Sequence, residues 1–301
     1  MKILITGATG LIGQELVQLL LANNHSVNYL TTAVNKIVNK PNYQGFYWNP
    51  QESKIDEDCL NGVDTIVHLA GSSIAKRWTK AYKQELIESR VLSSHLLYNV
   101  LKKSQHQVKH IISASGTAIY PDSFTAIYDE NSTAVENSFL SNVVVSWEES
   151  IDQFKLLNIK VAKLRTGVVY SEKGGALQEI IKPIKMYVGS GFGTGKQQQS
   201  WIHLTDVVNL YYFLILNQTE GILNAVAPDV ISNITLTKLI ADKLHKPLFL
   251  PNIPQFVMKM LLGDMHILLF NNKNIVPKKA LELGFKFQFP TIQKALDAII
   301  K

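Results

Sequence analysis

Three glycines offer the first chemistry in this 301-residue chain. Gly7, Gly10 and Gly13 recur at three-residue spacing in TGATGLIG, after the apolar run Ile3-Leu4-Ile5 and before Leu16, Val17, Leu19 and Leu20 at helical spacing. A buried strand leading through such a turn into an amphipathic helix is suited to hold a pyrophosphate. The first glycine permits the tight turn, the second lets backbone approach the phosphates, and the third allows close helix–strand packing. The helix start adds free N–H groups and the positive end of its dipole. Gly7, Thr9, Gly10, Leu11, Ile12 and Gly13 are therefore candidate cofactor-binding positions. At the end of the following strand (about 26–31) stand Thr31 and Thr32, with Lys36 nearby and no carboxylate. An acid there would hold ribose hydroxyls, whereas a base would meet a 2′-phosphate. Thr32 and Lys36 tilt the expectation toward NADP, with NAD as the alternative.

The elements that must position this turn follow in sequence. DTIVHL (64–69) reads as a further buried strand, and Leu69, Ala70 and Gly71 at its carboxyl end leave room for a cofactor; His68 is expected to pack or cap. A long helix is predicted over about 79–103, then a strand at 108–113 whose end, with Ser113, joins the candidate cofactor wall. Another helix over about 139–157 and a strand within KVAKLRTGVVY complete a further unit. Strands alternating with helices predict an α/β chain with a Rossmann-type doubly wound parallel sheet. Residues 1–225 are assigned to it, with part of a smaller substrate lobe inserted near 170–200 and the rest of that lobe at 226–301.

Composition narrows the function classes. The chain is 46% hydrophobic and 18% charged, as a globular protein is. Its net charge of +6 and pI near 9.1 come from scattered lysines without a basic stripe, so nucleic acid is not an expected partner. A single cysteine, Cys59, excludes an internal disulfide and fits a reducing compartment. No apolar run is long enough to span a membrane and no cleavable leader is read, so a cytoplasmic protein acting on a small molecule is expected. His203 and Asp206 in WIHLTDVV are expected to cap a helix and tie it down, and no metal-ligand spacing is found. GSGFGTGK lacks a glycine at position 190 and a Ser or Thr at 197, which excludes a P-loop.

TGATGLIG, VHLAGSSIAKRWTKAYKQELIESRV, SASGTAIYPD, FLSNVVVSWEES, LRTGVVYSEKGGAL, SWIHLTDVV and VPKKALELGFKFQFPTIQKAL cover nearly the whole chain. Together they resemble the extended, atypical branch of the short-chain dehydrogenase/reductase superfamily. More narrowly they resemble its epimerase-like family, the NAD-dependent epimerase/dehydratase type with a short C-terminal family domain. That resemblance implies a nicotinamide cofactor and a small C-terminal substrate lobe.

It also exposes a departure. In the superfamily a serine polarises the substrate oxygen, a tyrosine exchanges the proton, and a lysine four residues on lowers the tyrosine's pKa. Residues at that spacing share a helix face. Here the tyrosine slot falls at Phe139 or Leu140 and the lysine slot at Val143 or Val144, and none of these moves a proton. Ser115 best matches the serine, with Ser113 and Thr117 as alternatives; the same segment could equally be a turn whose hydroxyls cap backbone. Tyr120 is the candidate replacement acid, with Tyr128 and Lys76-Arg77 as further choices. Where nucleotide-sugar enzymes of this type place an arginine for the diphosphate, this chain has Gln199, with Lys196 as a partial substitute. The expected activity is an NAD(P)-dependent oxidoreductase or epimerase-like enzyme; the alternative is a cofactor-binding sensor without turnover. Extended relatives pair the two long helices into a dimer. Leu92, Leu96 and Val100 would serve that homodimer or simply pack on the sheet.

Overall fold

The computed structural model describes residues 1–300. Seven parallel strands form its centre: β1 (Lys2–Thr6), β2 (Ser26–Thr31), β3 (Tyr43–Asn49), β4 (Thr65–His68), β5 (His110–Gly116), β6 (Lys160–Thr166) and β7 (Gly221–Ala225). Their spatial order is β7-β6-β5-β4-β1-β2-β3, with short antiparallel arms, Asn39–Lys40 and Lys54–Ile55, on β3. The order reverses between β1 and β4. That switch point opens a crevice at the carboxyl ends of the strands, where a doubly wound sheet receives its ligand.

Helices cover both faces. On one face α1 (Leu11–Ala22) and α5 (Leu204–Asn217) bury Leu16, Val17, Leu20, Val207, Leu210 and Leu214 against Ile3, Ile5, Val67 and Ile112. On the other, α2 (Lys80–Lys103) and α3 (Phe139–Asp152) bury Leu96, Leu97, Val100, Trp147 and Ile151 against Leu4, Ile66, Ile111 and Val161. Alternate residues of each strand thus feed two cores, which is why the strands read as unbroken apolar runs. Each aliphatic side chain so buried stabilises by roughly 1.5–3 kcal/mol before ordering costs. Leu96 and Val100 belong to this sheet-facing core, while Leu92 is half-buried.

The strand expected through KVAKLRTGVVY breaks at Gly167. Val168–Tyr170 leaves the main sheet and pairs in parallel with Trp201–His203. A Cβ at position 167 would lie 2.5 Å from the Ser200 carbonyl oxygen, so glycine permits the transfer. The smaller lobe begins there, with α4 (Ala176–Lys185), α6 (Asn233–Lys243), α7 (Gln255–Leu262), α8 (Ile267–Phe270), α9 (Lys278–Glu282) and α10 (Ile292–Ile299). Its core joins Leu177, Ile181 and Trp201 to Ile231, Leu236, Leu296 and Ile299. The helix expected to reach 157 ends at Asp152 and continues as a tighter 3-10 turn over Gln153–Leu157. Among the described residues no helix is long and apolar enough to cross a membrane, and no group of three or more His, Cys, Asp or Glu is placed to hold a metal.

Candidate functional site

Gly7 has φ +72°, and a Cβ there would lie 2.9 Å from the carbonyl carbon and oxygen of Leu69. Glycine therefore lets the end of β1 press on the segment after β4. Thr6 Oγ1 fastens that junction, accepting from the amides of Leu69 and Ala70 at 3.1 Å and bonding His68 Nδ1 at 2.8 Å. A Cβ on Gly13 would stand 2.3 Å from the Gly7 carbonyl oxygen, so α1 can start only this close to the turn with glycine at that position. Gly10 is the N-cap of α1, and no side chain caps it. The first amides of a helix have no intrahelical acceptors, and an anion is the partner they suit. Thr9 and Gly10 are exposed, while Leu11 and Ile12 are half-buried.

The other predicted cofactor residues fall around this turn, with one exception. Leu69 and Ala70 abut Gly7, and Gly71 is exposed beyond them. At the end of β2, Thr31 Oγ1 accepts from the Ala33 amide at 3.2 Å. A short turn, Val34–Lys36, follows; its last carbonyl accepts from Tyr29 Oη at 2.7 Å. Thr32 and Lys36 are exposed there, with no acid between them. Ser113 instead lies wholly inside the fold and donates to the neighbouring Ala114 carbonyl at 2.9 Å.

His68 is a packing residue, its ring held by side-chain hydroxyls. It is completely buried, with Nε2 at 3.3 Å from both Ser93 Oγ and Ser94 Oγ. Burial, reinforced by the nearby Arg90 charge, pushes its imidazole down to about 3, so it stays neutral.

Ser115 and Tyr120 do come together, but through a charged network. Glu148 of α3 accepts from Ser115 Oγ at 2.6 Å and from Arg165 Nε and Nη2 at 2.8 and 2.9 Å. Arg165 Nη1 donates to Tyr120 Oη at 3.0 Å, and Tyr120 donates to Asn224 Oδ1 at 2.8 Å. Lys163 lies 3.5 Å from Glu148 and 2.8 Å from Asp152. Tyr120 is fully buried and stacks on Tyr128 at 5.5 Å. Burial raises the Tyr120 phenol above its ordinary range, with Arg165 and Asn224 opposing. Burial also pushes the Glu148 carboxyl up, but Arg165, then Ser115 and Lys163, more than offset this and hold it below the usual carboxylate range.

The positions of the missing pair are apolar. Leu140 packs with Trp78, Tyr82 and Leu86, and Val144 with Ile119, Tyr120 and Val226. A Cβ on Gly116 would stand 3.3 Å from Val144 Cγ2. Just beyond Leu140, a cavity of about 230 Å³ opens between the starts of α2 and α3 and the smaller lobe. Trp78, Phe139 and Ile267 form its apolar wall; Lys83, Lys259, Asp264 and His266 supply polar groups. Lys83 Nζ reaches Asp264 Oδ2 at 2.5 Å and sits 5.1 Å from the Phe139 ring centre. His266 Nδ1 lies 2.8 Å from the Gly263 carbonyl, which orients the ring. The exposed Lys76 and Arg77 precede this wall without lining it.

Lys83, Asp264 and Arg90 were not singled out by sequence. Arg90 did carry a signal: it falls on the inward line Leu86, Arg90, Ser94 and Leu97 of α2, an unusual place for a cation. In the segment before α5, His203 caps the helix by accepting from the Thr205 amide at 3.1 Å. Asp206 accepts from the amides of Gln288 and Phe289 at 2.8 and 2.9 Å, tying the C-terminal segment to α5. Gln199 accepts from Tyr170 Oη at 3.0 Å, which occupies the amide standing at the expected arginine position.

A strand order that reverses beside a glycine turn, an uncapped helix start and a second lobe over the crevice define an extended, Rossmann-type nucleotide-binding protein. The chain belongs to the NAD dependent epimerase/dehydratase family, which it matches over residues 3–226; residues 253–299 match a domain of unknown function, DUF1731. It is 32% identical over 302 residues to the epimerase family protein SAR0825 of Staphylococcus aureus, covering 99% of this chain and 98% of the relative. It is 33% identical over 307 residues to the chloroplastic SDR39U1 homolog of Arabidopsis thaliana, covering 100% and 87%. The crystal structure of human SDR39U1 with NADPH superposes with a TM-score of 0.84 at 28% identity, covering 100% of this chain and 99% of that one.

Proposed function

We propose that this protein is an NAD(P)-dependent oxidoreductase or epimerase-like enzyme acting on a compact carbonyl or hydroxyl compound. The observation that carries this reading is the Gly7–Gly13 turn at the switch point, with an α1 start that no side chain caps. NADP(H) is the favoured cofactor, since Thr32 and Lys36 end β2 with no carboxylate to repel a 2′-phosphate. Gly10 to Gly13 would hold the pyrophosphate and Leu69 to Gly71 the opposite wall. The bound nicotinamide supplies or accepts hydride.

A compact substrate suits the cavity of about 230 Å³ beside the start of α3. Its wall of Trp78 and Phe139 with Lys83 suits an apolar body bearing one anionic or carbonyl oxygen. Lys83, Lys259, Asp264 and His266 are the groups on that wall able to hold or move a proton. Ser115 and Tyr120 act as positioning residues: through Glu148 and Arg165 they fix α3 against β5 and β6, and so fix the cavity wall that α3 begins. The runner-up, cofactor binding without turnover, draws on the apolar Leu140 and Val144.

Titration with NADPH and NADH, followed by nicotinamide fluorescence and thermal stabilisation, tests the common foundation. Both should bind, NADPH more tightly. Lys36→Ala should weaken NADPH by about tenfold and leave NADH unchanged, as loss of one charge-assisted contact does. A folded, ligand-free protein that binds neither refutes both readings. Nicotinamide consumption in a screen of small keto acids and aldehydes separates the enzyme from the sensor.

A further inference from the structure

The cavity beside the start of α3 lies where the familiar tyrosine is missing. Leu140, in one candidate tyrosine slot, packs with Trp78, Tyr82 and Leu86, and Met265, Ile267 and Leu268 close on that cluster from the smaller lobe. His266 stands within this last segment, is 7% exposed, and lines the cavity. Phe139, the other candidate slot, lines the same cavity. The imidazole and the vacated slot thus meet at one place, one from the smaller lobe and one from α3.

Hydrogen bonds fix the state of the ring. His266 Nδ1 lies 2.8 Å from the Gly263 carbonyl, which can only accept, so Nδ1 carries the hydrogen. In the neutral ring Nε2 then holds the lone pair. Its neighbour is the Gln255 amide nitrogen at 3.3 Å, a long contact from an exposed residue at the start of α7. Gly263, at φ +60°, makes the left-handed turn that ends α7 and leads to the ring. The other groups on the wall are poorer bases. Lys83 and Lys259 present ammonium groups, which donate but have no lone pair. Asp264 accepts from Lys83 at 2.5 Å, and that contact holds its carboxyl below the ordinary range.

We propose that His266 is the proton-exchanging residue of this cavity, in the place of the missing tyrosine. This rests on the oxidoreductase reading above. In oxidation the substrate hydroxyl displaces Gln255 and gives its proton to Nε2. The hydrogen on the same carbon leaves with its electron pair to oxidised nicotinamide, so a C=O bond replaces the O–H and C–H bonds. The imidazolium returns its proton to water, which reaches this wall at Asp264, whose side chain is 58% exposed. Reduction runs the same transfers in reverse. Lys83 of α2, Lys259 of α7 and Asp264 beside the ring are the charged groups on the wall with it. The two lysines favour the neutral ring and Asp264 the protonated one.

The test compares His266→Asn, His266→Ala and the unmodified protein. Asparagine keeps a donor amide for the Gly263 carbonyl and deletes Nε2. In ligand-free protein labelled with ¹⁵N-histidine, His266 should appear as the Nδ1–H tautomer, assigned by its loss from the His266→Asn spectrum. An Nε2–H tautomer overturns the proposal. Pyruvate and benzaldehyde, a keto acid and an aldehyde, serve with NADPH as the first probes of turnover. In His266→Asn kcat should fall by about 100-fold or more, the scale of general acid–base catalysis, while KM and NADPH affinity hold. In this reducing direction kcat should decline as pH rises and the ring loses its proton, and that limb should be absent from His266→Asn. Added imidazole should restore part of the turnover lost in His266→Ala. Turnover that survives His266→Asn, or a loss that imidazole leaves unrepaired, overturns the assignment alone. Nicotinamide left unconsumed by the unmodified protein across the whole screen refutes the enzyme reading, and this assignment with it.

Discussion

Glu148→Gln separates a structural network from a catalytic one. The glutamine keeps the shape of the side chain but replaces an acceptor oxygen with a donor amide facing Arg165 and Ser115. Arg165 loses its carboxylate, held at 2.8 and 2.9 Å, while Lys163 keeps Asp152 at 2.8 Å. The Glu148 and Arg165 side chains are 8% and 7% exposed, so water cannot replace the lost partner. Breaking a buried ion pair from one side costs about 3–5 kcal/mol. At about 2 °C per kcal/mol for a chain of this length, the thermal midpoint should fall by about 6–10 °C. Arg165 and its neighbours hold the folded Glu148 carboxyl below its ordinary value of 4.5, against the upward push of burial. The stabilisation is therefore fully present above that value and is lost as pH falls through the lower folded value. Unfolding scans of both proteins should show the full gap at about pH 7 and a narrowing gap below about pH 4. Ser115→Ala and Tyr120→Phe should each cost about 1–3 kcal/mol, with turnover per folded molecule retained. A Glu148→Gln midpoint within about 2 °C of the unmodified protein at neutral pH would refute the ion-pair argument. Ser115→Ala that abolishes turnover without moving the midpoint would return Ser115 to the substrate.

Two further outcomes follow from the site's geometry. Gly13→Ala places a methyl 2.3 Å from the Gly7 carbonyl oxygen and 2.8 Å from Ala8 Cα, both rigid backbone, so α1 must back away from the turn. Fluorescence titration should show NADPH affinity reduced by at least about tenfold, and unaltered affinity would disprove the close packing. Lys83→Met removes a cation that is 29% exposed and paired to an Asp264 that is 58% exposed. Such a pair contributes at most about 1 kcal/mol, so the midpoint should hardly move. Turnover of an anionic substrate should drop through its KM, and a purely stability-linked loss would exclude Lys83 from the cavity's chemistry.

What sequence made legible was what backbone chemistry dictates. Gly7 and Gly13 could be read because each does something that no other residue can do at that place. The runs 3–5 and 64–69 could be read because a strand buried on both faces has no polar phase. Strand β3 escaped notice: YQGFYWN mixes polar and aromatic residues because it lies toward the sheet edge, half covered. The break at Gly167 was hidden too, since its cause, the Ser200 carbonyl, is a contact distant in sequence. Ser115 and Tyr120 could be found as polar residues after a central strand, but their partners could not. Glu148, Arg165 and Asn224 come from three other elements, and only packing brings them to the same hydroxyls. The cavity was illegible for the same reason, its walls being contributed by α2, α3 and the C-terminal lobe.

The missing lysine on α3 gains a physical context from α2. Lys83 and Arg90 stand seven residues apart, two helical turns, and so on one face. That face meets α3: Lys83 lies over Phe139 near its start and Arg90 over Trp147 farther along. Leu140 and Val144 occupy the tyrosine and lysine slots on α3 itself, and their apolar packing would desolvate a lysine ammonium without offering it a partner. A positive charge kept on α2 avoids that cost, because Lys83 retains Asp264 and the guanidinium of Arg90 retains two carbonyls and an aromatic face. Lys83 lines the cavity beside Phe139, whereas Arg90 lies against Gly71. Loss of the familiar pair therefore does not leave this crevice without positive charge.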